Sequence, residues 1–330
     1  MRTRYLPWCA AVFGALALLP LATDNTFVLR IATEALLWIG LAITWDVLGG
    51  YTGRVNFGHG AFFGIGAYAT AILMMQGGWP FFATLPAAAL AAGVVAFAAG
   101  LPTLRLKGAY FAIATWALAR AIQQGALVLD VTGGPDGMRL PPFLHPIFFF
   151  YLFLVLVAGM FFGLWFLLER CSFGMKVKAV REDEEGSMAL GLRPTRIKIQ
   201  AFLLSAAPAG LLGGAYAYWI TFIDPASVLG DLVTDQAVVM AVFGGLGTLI
   251  GPAIGAVLLF AFKTYFWAYL SDYQVLYLII LGVIIALSVV FLPDGLWGAL
   301  TSRLERRRPP GPPARADDAP KPIPSAEEPR

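Results

Sequence analysis

Apolar runs about as long as a bilayer is thick recur along the whole chain, and this leaves few folds open. Roughly 20 helical residues cross a hydrocarbon core. Runs near that length fall at residues 6–22, 27–48, 55–76, 81–101, 108–129, 146–168 and 199–220. A broken apolar region at 232–266 and a final run at 275–292 follow. A soluble fold would have to hide a chain that is 59% hydrophobic and only 13% charged, which 330 residues cannot do. A transmembrane barrel needs two-residue alternation, and the long uninterrupted runs lack it. The expectation is an all-α polytopic membrane protein.

Two cysteines, Cys9 and Cys171, and two histidines, His59 and His145, are too scattered for a disulfide framework or a zinc site. No metal is expected. Arg2 and Arg4 before the first run give it the look of a signal peptide, but its apolar stretch is long, so an uncleaved first helix is expected.

Basic residues set orientation. With the N-terminus in the cytoplasm, the cytoplasmic loops carry Arg54, Arg105, Lys107, Arg170, Lys176, Lys178, Arg181, Arg193, Arg196 and Lys198. The outer side keeps Arg30, Arg139 and Lys263, with Asp224, Asp231 and Asp235. Arg303, Arg306, Arg307 and Arg308 should also be inside, which requires an even number of crossings. Two short spans joined at Gly244–Gly251 within 232–266 give about ten transmembrane helices. A re-entrant half-helix there gives nine and strands those arginines outside. Eight prolines follow Arg308 with almost nothing apolar between them, so residues 301–330 read as a disordered cytoplasmic tail on a membrane domain of residues 1–300.

Two stretches echo each other. "LGGYTGRVNFGHGAFFGIGAY" and "FGGLGTLIGPAIGAVL" each open on Gly-Gly, break at glycines and close on Gly-Ala. Interrupted glycine-rich segments in two halves of a chain point to a transport pathway between related repeats. The alternative is that membrane helices use glycine generally. Gly49, Gly50, Gly60, Gly64, Gly244, Gly245, Gly247, Gly251 and Gly255 are the expected packing or hinge positions, and Gly210 and Gly214 have the same small-xxx-small spacing.

The longest cytoplasmic loop, "ERCSFGMKVKAVREDEEGSMALGLRPTRIKIQAF", is helix-friendly between Met175 and Leu190. Gly191 suits a helix C-terminus and Pro194 prevents continuation. One short surface helix across the end of the bundle is expected; a merely solvated loop is the plainer reading. In order along the chain come "WDVLGGYTGRVNFGHGAFFGIGAY", "LPTLRLKGAYFAIAT", "TGGPDGM", "REDEEGSMALGLRPTRIK" and "VFGGLGTLIGPAIGAVLL". Together they resemble the permease subunits of ABC importers of the branched-chain amino acid (LivM-type) family, over nearly all of the chain to about Pro293.

That resemblance implies a subunit of an importer in the bacterial inner membrane. A LivH-type permease would complete the pore, two ABC ATPase subunits would bind ATP and Mg, and an external substrate-binding protein would deliver cargo. Ala179, Val180, Arg181, Glu182, Asp183, Glu184, Ala189, Leu190 and Gly191 would form the coupling helix docked on an ATPase. Arg181, Glu182, Asp183 and Glu184 would supply charge complementarity. The chain has no G-x-x-x-x-G-K-[ST] phosphate loop, so no cofactor is expected in it and it is not expected to be an enzyme. It departs from the family at Asp46, usually asparagine, at Arg120, often glutamate, and at Pro208, usually alanine. An arginine at depth costs about 2.5–3.5 kcal/mol on insertion scales and needs a partner or water; Glu34, Asp46 and Asp130 are the candidates.

His59 has neither a nucleophile nor an orienting acid near it in sequence, so a catalytic role is not expected. Its imidazole is expected to satisfy backbone groups at the helix start. The other reading places Asn56, His59, Phe62 and Phe63 along the pathway. Urea or short amides are the alternative cargo, and a self-contained secondary transporter using Glu34 and Asp46 is the alternative class.

Overall fold

The computed structural model describes residues 6–23, 25–269, 280, 282–283 and 295–306. Among these the chain is almost wholly helical. In order it forms α1 (Leu6–Ala17), α2 (Leu19–Ala22), α3 (Thr26–Gly49), α4 (His59–Met75), α5 (Phe81–Thr103) and α6 (Ala109–Val128). A two-residue strand β1 (Met138–Arg139) precedes α7 (Pro146–Trp165), α8 (Ser172–Glu182), α9 (Glu184–Ala189) and α10 (Pro194–Ile220). Strand β2 (Phe222–Ile223), α11 (Pro225–Leu229), α12 (Asp231–Gly244), α13 (Ile250–Tyr269) and α14 (Gly295–Arg306) complete it.

Among the described residues, five helical segments, α3, α5, α7 with its continuation to Arg170, α10 and α11–α12, are long and apolar enough to cross a membrane. A sixth is α6 if the bent turn after it belongs to the same span, and α1–α2, α4 and α13 are shorter apolar helices. The protein is a multi-pass membrane protein. The final run at 275–292 lies outside the described residues apart from 280, 282 and 283, as does the proline-rich tail from 307 onward. Helix α14 runs through Arg306, past the boundary expected at residue 300.

Several boundaries move for local reasons. The first run is interrupted near Leu18, and Pro20 sits in the first turn of α2. The run expected at 55–76 becomes helical only at His59, because Asn56 Oδ1 accepts from Gly58 N at 2.8 Å and holds a turn ahead of the helix. The broken region divides between Gly244 and Ile250, within the glycine-rich stretch expected to join two spans. Arg30 and Lys263 lie inside α3 and α13, not in loops.

α3 is the central post, buried from Leu36 through Gly49, with α7, α10, α12 and α13 packed around it. α4, α5 and α10 form the tightest sheaf. There, Gly66 of α4 faces the carbonyl of Gly210 on α10 so closely that any Cβ would enter the opposing backbone. Such approaches are how helices associate when lipid removes the usual hydrophobic drive. Met138 pairs with Ile223 and Arg139 with Phe222, and this short antiparallel clasp ties the end of α10 to the segment before α7. The opposite end carries Arg54, Lys107, Lys178, Arg181 and Lys198 and is called the basic end below.

Arg120 meets none of the three carboxylates expected for it. Its Nη2 lies 2.5 Å from Asp231 Oδ2, and its Nη1 donates to Gln123 Oε1 at 2.6 Å. The kink between α11 and α12 places Asp231 beside α6, a neighbourhood that separation along the chain does not reveal.

Candidate functional site

Two interruptions in the helical bundle converge on α3. The first is the entry to α4. Trp45 Nε1 donates to the Asn56 carbonyl at 2.8 Å, and Phe57 N donates to Thr115 Oγ1 of α6 at 3.2 Å. Gly60 N donates to Thr234 Oγ1 of α12 at 2.8 Å. His59 Nε2 lies 3.2 Å from Thr44 Oγ1. The Thr44 hydroxyl already donates to the Leu41 carbonyl at 3.0 Å, so it accepts from the Nε2–H tautomer. The imidazole therefore reaches across to α3 and does not satisfy the backbone at its own helix start, because Asn56 has taken that task.

The second interruption is the loop 245–249 between α12 and α13. Gly247 N donates to Asp46 Oδ1 at 3.0 Å. Thr44, Trp45 and Asp46 are consecutive, so one turn of α3 holds both breaks. Gly50, just beyond the end of α3, lies so close to Asp46 Oδ1 and Gly247 N that a side chain there would strike both. Gly247 has φ +73°, a conformation open to glycine and strained for other residues.

The cytoplasmic-type loop closes over this junction. It is two helices, not the one expected across Met175–Leu190. Asp183 adopts an extended conformation, and its Oδ1 accepts from Glu185 N and Gly186 N, both at 3.0 Å, so it ends α8 and caps α9. Gly191 closes the segment at φ +80°. Arg181 Nη1 donates to the Gly50 carbonyl at 2.6 Å. Lys178 pairs with Glu169 at 3.0 Å. Glu184 pairs with Lys198 at 2.5 Å and Arg54 at 3.3 Å.

Three of the four charges expected to face a partner also bond within the chain: Arg181 to Gly50, Asp183 to its own cap, and Glu184 to two cations, with Arg181 and Asp183 still exposed. Also exposed are Glu182, which forms no ion pair among the described residues, Ala179, Ala189 and Gly191, and an apolar patch of Met175, Met188 and Leu190. Val180 is buried beneath them.

The glycines divide by position. Gly49 lies against the Trp45 ring, and Gly60 and Gly64 lie against the α11–α12 segment at Thr234 and Leu229. Gly244 and Gly251 meet backbone to backbone across the second break, Gly245 contacts both Gly251 and Gly295, and Gly255 faces the Met240 carbonyl. Asn56 and His59 are fully buried and Phe62 and Phe63 nearly so. Phe62 sits edge-on to Phe202 at 5.3 Å, and Phe63 packs on Tyr216 at 5.2 Å and borders a cavity described below. Thr44, Trp45, Thr115 and Thr234 were not singled out from sequence. They look like ordinary span residues until their partners are in place.

Glu184 also makes the loop pH-sensitive. Burial alone would raise its carboxyl, but the Lys198 hydrogen bond and the charges of Lys198, Arg54 and Lys107 outweigh burial and hold it below the usual carboxylate value. A depressed folded-state value adds stability that is complete above the unfolded value, about 4.3, and is lost as pH falls through the folded one. Amide exchange across 184–190, corrected for intrinsic rate, should be flat from neutrality to about pH 5 and rise below about pH 4. In Glu184→Gln the same amides should exchange faster at neutral pH and show a smaller rise on acidification.

The family model described as "Branched-chain amino acid transport system / permease component" matches residues 27–289. The high-affinity branched-chain amino acid transport system permease protein LivM of Salmonella typhimurium is 32% identical over 302 residues, covering 81% of this chain and 69% of that protein. LivM of Escherichia coli is 31% identical over the same shares. The permease protein LivH of E. coli is 26% identical over 301 residues, 81% of this chain and 92% of its own. No solved structure matches the chain.

Proposed function

Because the chain belongs to the family of permease components of branched-chain amino acid transport systems, we propose that it is the membrane-spanning subunit of an ATP-driven importer. Its cargo is branched-chain or related hydrophobic amino acids, moved across the bacterial inner membrane by alternating access. The basic end faces the cytoplasm, in keeping with the distribution of Lys and Arg. A LivH-type permease completes the pore, an external binding protein delivers cargo, and two ATPase subunits bind ATP and Mg.

The observation that carries this reading is the clasp of α8 onto both breaks through α3. An ATPase seated on Met188, Leu190 and Glu182 moves α8–α9 when it closes. Arg181 passes that movement to Gly50, and α3 passes it to the α4 entry through Trp45 and to the 245–249 loop through Asp46. Packed elements with two discrete arrangements transmit such shifts; soft ones absorb them.

The test is uptake by the assembled transporter, with leucine and urea compared. Leucine taken up in an ATP-dependent way is the expected result; urea uptake without leucine uptake would assign the cargo otherwise. Leu190→Asp with Met188→Asp should abolish ATPase association while the chain remains folded, since both side chains are exposed. Retained association and uptake in that variant would remove α9 as the docking surface.

A further inference from the structure

A cavity of about 330 Å³ lies between α3, α4, α10, α12 and α13, away from the basic end. That volume falls at the lower end of the range for small-ligand sites, about 300–1,000 Å³. Its wall carries Arg30 and Glu34 of α3, Gln236 of α12 and Lys263 of α13, with Phe63 and Trp219 among its apolar faces. Glu34 lies eight residues beyond Thr26, so at 1.5 Å per residue it is roughly 12 Å along α3. Charged side chains around a cavity within an apolar helix bundle mark a ligand or ion route by default.

Their arrangement is loose for a structural ion pair. Lys263 Nζ is 4.0 Å from Glu34 Oε1 and sits 5.4 Å from the Trp38 ring centroid. The Arg30 guanidinium forms no ion pair or hydrogen bond among the described residues. Gln236 Oε1 is shielded from solvent and accepts no hydrogen bond. The wall thus offers two acceptors, Glu34 and Gln236, and two cationic donors, Arg30 and Lys263, around an aromatic interior. One small molecule needs all of these at once: a compact zwitterion whose ammonium takes the acceptors, whose carboxylate takes the cations, and whose apolar side chain lies on the rings.

We propose that this cavity is a binding site in this subunit for a zwitterionic α-amino acid with an apolar side chain. Glu34 and Gln236 hold the ammonium, and Arg30 and Lys263 hold the carboxylate. The proposal rests on the transport reading above for the view that the ligand is cargo; the ligand class follows from the wall itself. The loop 245–249 and the α4 entry both adjoin helices that line the cavity, so a movement of α3 would reshape it.

The experiment is equilibrium binding of tritiated L-leucine to the full-length chain in lipid nanodiscs. Competitors are unlabelled L-valine, 4-methylpentanoate, which lacks the ammonium, and 3-methylbutylamine, which lacks the carboxylate. L-Valine should displace leucine, and neither half-ligand should. Glu34→Gln and Arg30→Gln should each weaken leucine binding about tenfold or more, the usual effect of losing a charge-assisted contact. Arg30 is exposed and unpaired among the described residues, so Arg30→Gln keeps the test valid if Glu34→Gln folds poorly. Leucine affinity unchanged in both variants, or displacement by 4-methylpentanoate as effective as by valine, would overturn the site. If the assembled transporter takes up leucine while the chain alone binds none, the site is likewise overturned and the transport reading stands. Zwitterion-selective binding without leucine uptake would support the site and count against the transport reading.

Discussion

Replacing Arg181 by alanine should cut leucine uptake by the assembled transporter about tenfold or more while leaving assembly intact. The guanidinium makes the one described hydrogen bond from α8–α9 to the end of α3, at 2.6 Å to the Gly50 carbonyl. A hydrogen bond from a charged donor contributes roughly 1.5–3 kcal/mol, and each 1.36 kcal/mol on a barrier is a factor of ten. The rest of α8–α9 stays anchored through Lys178–Glu169 and Glu184–Lys198. An ATPase can therefore still dock and turn over, but its movement loses the direct bond from α8 to the end of α3 and keeps only the longer Glu184–Arg54 contact at 3.3 Å. ATP hydrolysis should lose its dependence on cargo-loaded binding protein. Arg181→Lys should recover part of both, since an ammonium can reach the same carbonyl but not with a fork of donors. Normal uptake with normal cargo-dependence in Arg181→Ala would remove the clasp from the mechanism.

The second large effect is structural. Gly66→Val should lower the midpoint of thermal unfolding in detergent by several degrees or prevent accumulation of the folded protein. Its Cβ would enter the backbone of Gly210, and three residues along, Gly213 is equally close to the Phe63 carbonyl. A flexible side chain could yield, but two backbones cannot, so α4 and α10 must separate along their whole seam. Overpacking costs typically 1–3 kcal/mol and occasionally more; a backbone collision belongs at the upper end. Gly125 of α6 is the control, with nothing within 4 Å of a built Cβ. Gly125→Ala should be neutral or slightly stabilising, by up to about 1 kcal/mol. Equal behaviour of the two variants would mean that the α4–α10 contact is not as close as described.

Lipid as solvent makes much of this fold readable, because backbone groups in hydrocarbon must pair within their own helix. Helices α3 to α7 and α10 accordingly follow the apolar runs, most of them to within a few residues. Errors came where a side chain competes with the backbone. Asp183 sits in a run of good helix formers, yet its carboxylate caps α9 and breaks the helix. Asn56 delays the start of α4 by accepting from Gly58 N in the turn before it. The junction was less legible because its bonds join residues far apart in the chain. Asp46 and Gly247 are 201 positions apart, and Arg181 and Gly50 are 131 apart. Asp46 stands out as a charge in an apolar run and as a departure from the family's asparagine, but nothing in the sequence pairs it with Gly247, and Trp45 carries no signal at all. Arg120 was assigned three candidate partners, and the turn at Gly230 brought in a fourth, Asp231.

Holding both breaks on one turn of α3 has a thermodynamic consequence. If occupancy of the cavity and seating of α8–α9 both bias the position of α3, the two equilibria are linked, and linkage is reciprocal. Whatever factor ATPase docking applies to cargo affinity, cargo must apply to ATPase affinity. Under that linkage, a subunit built this way would report an occupied site to the cytoplasm with no separate sensor.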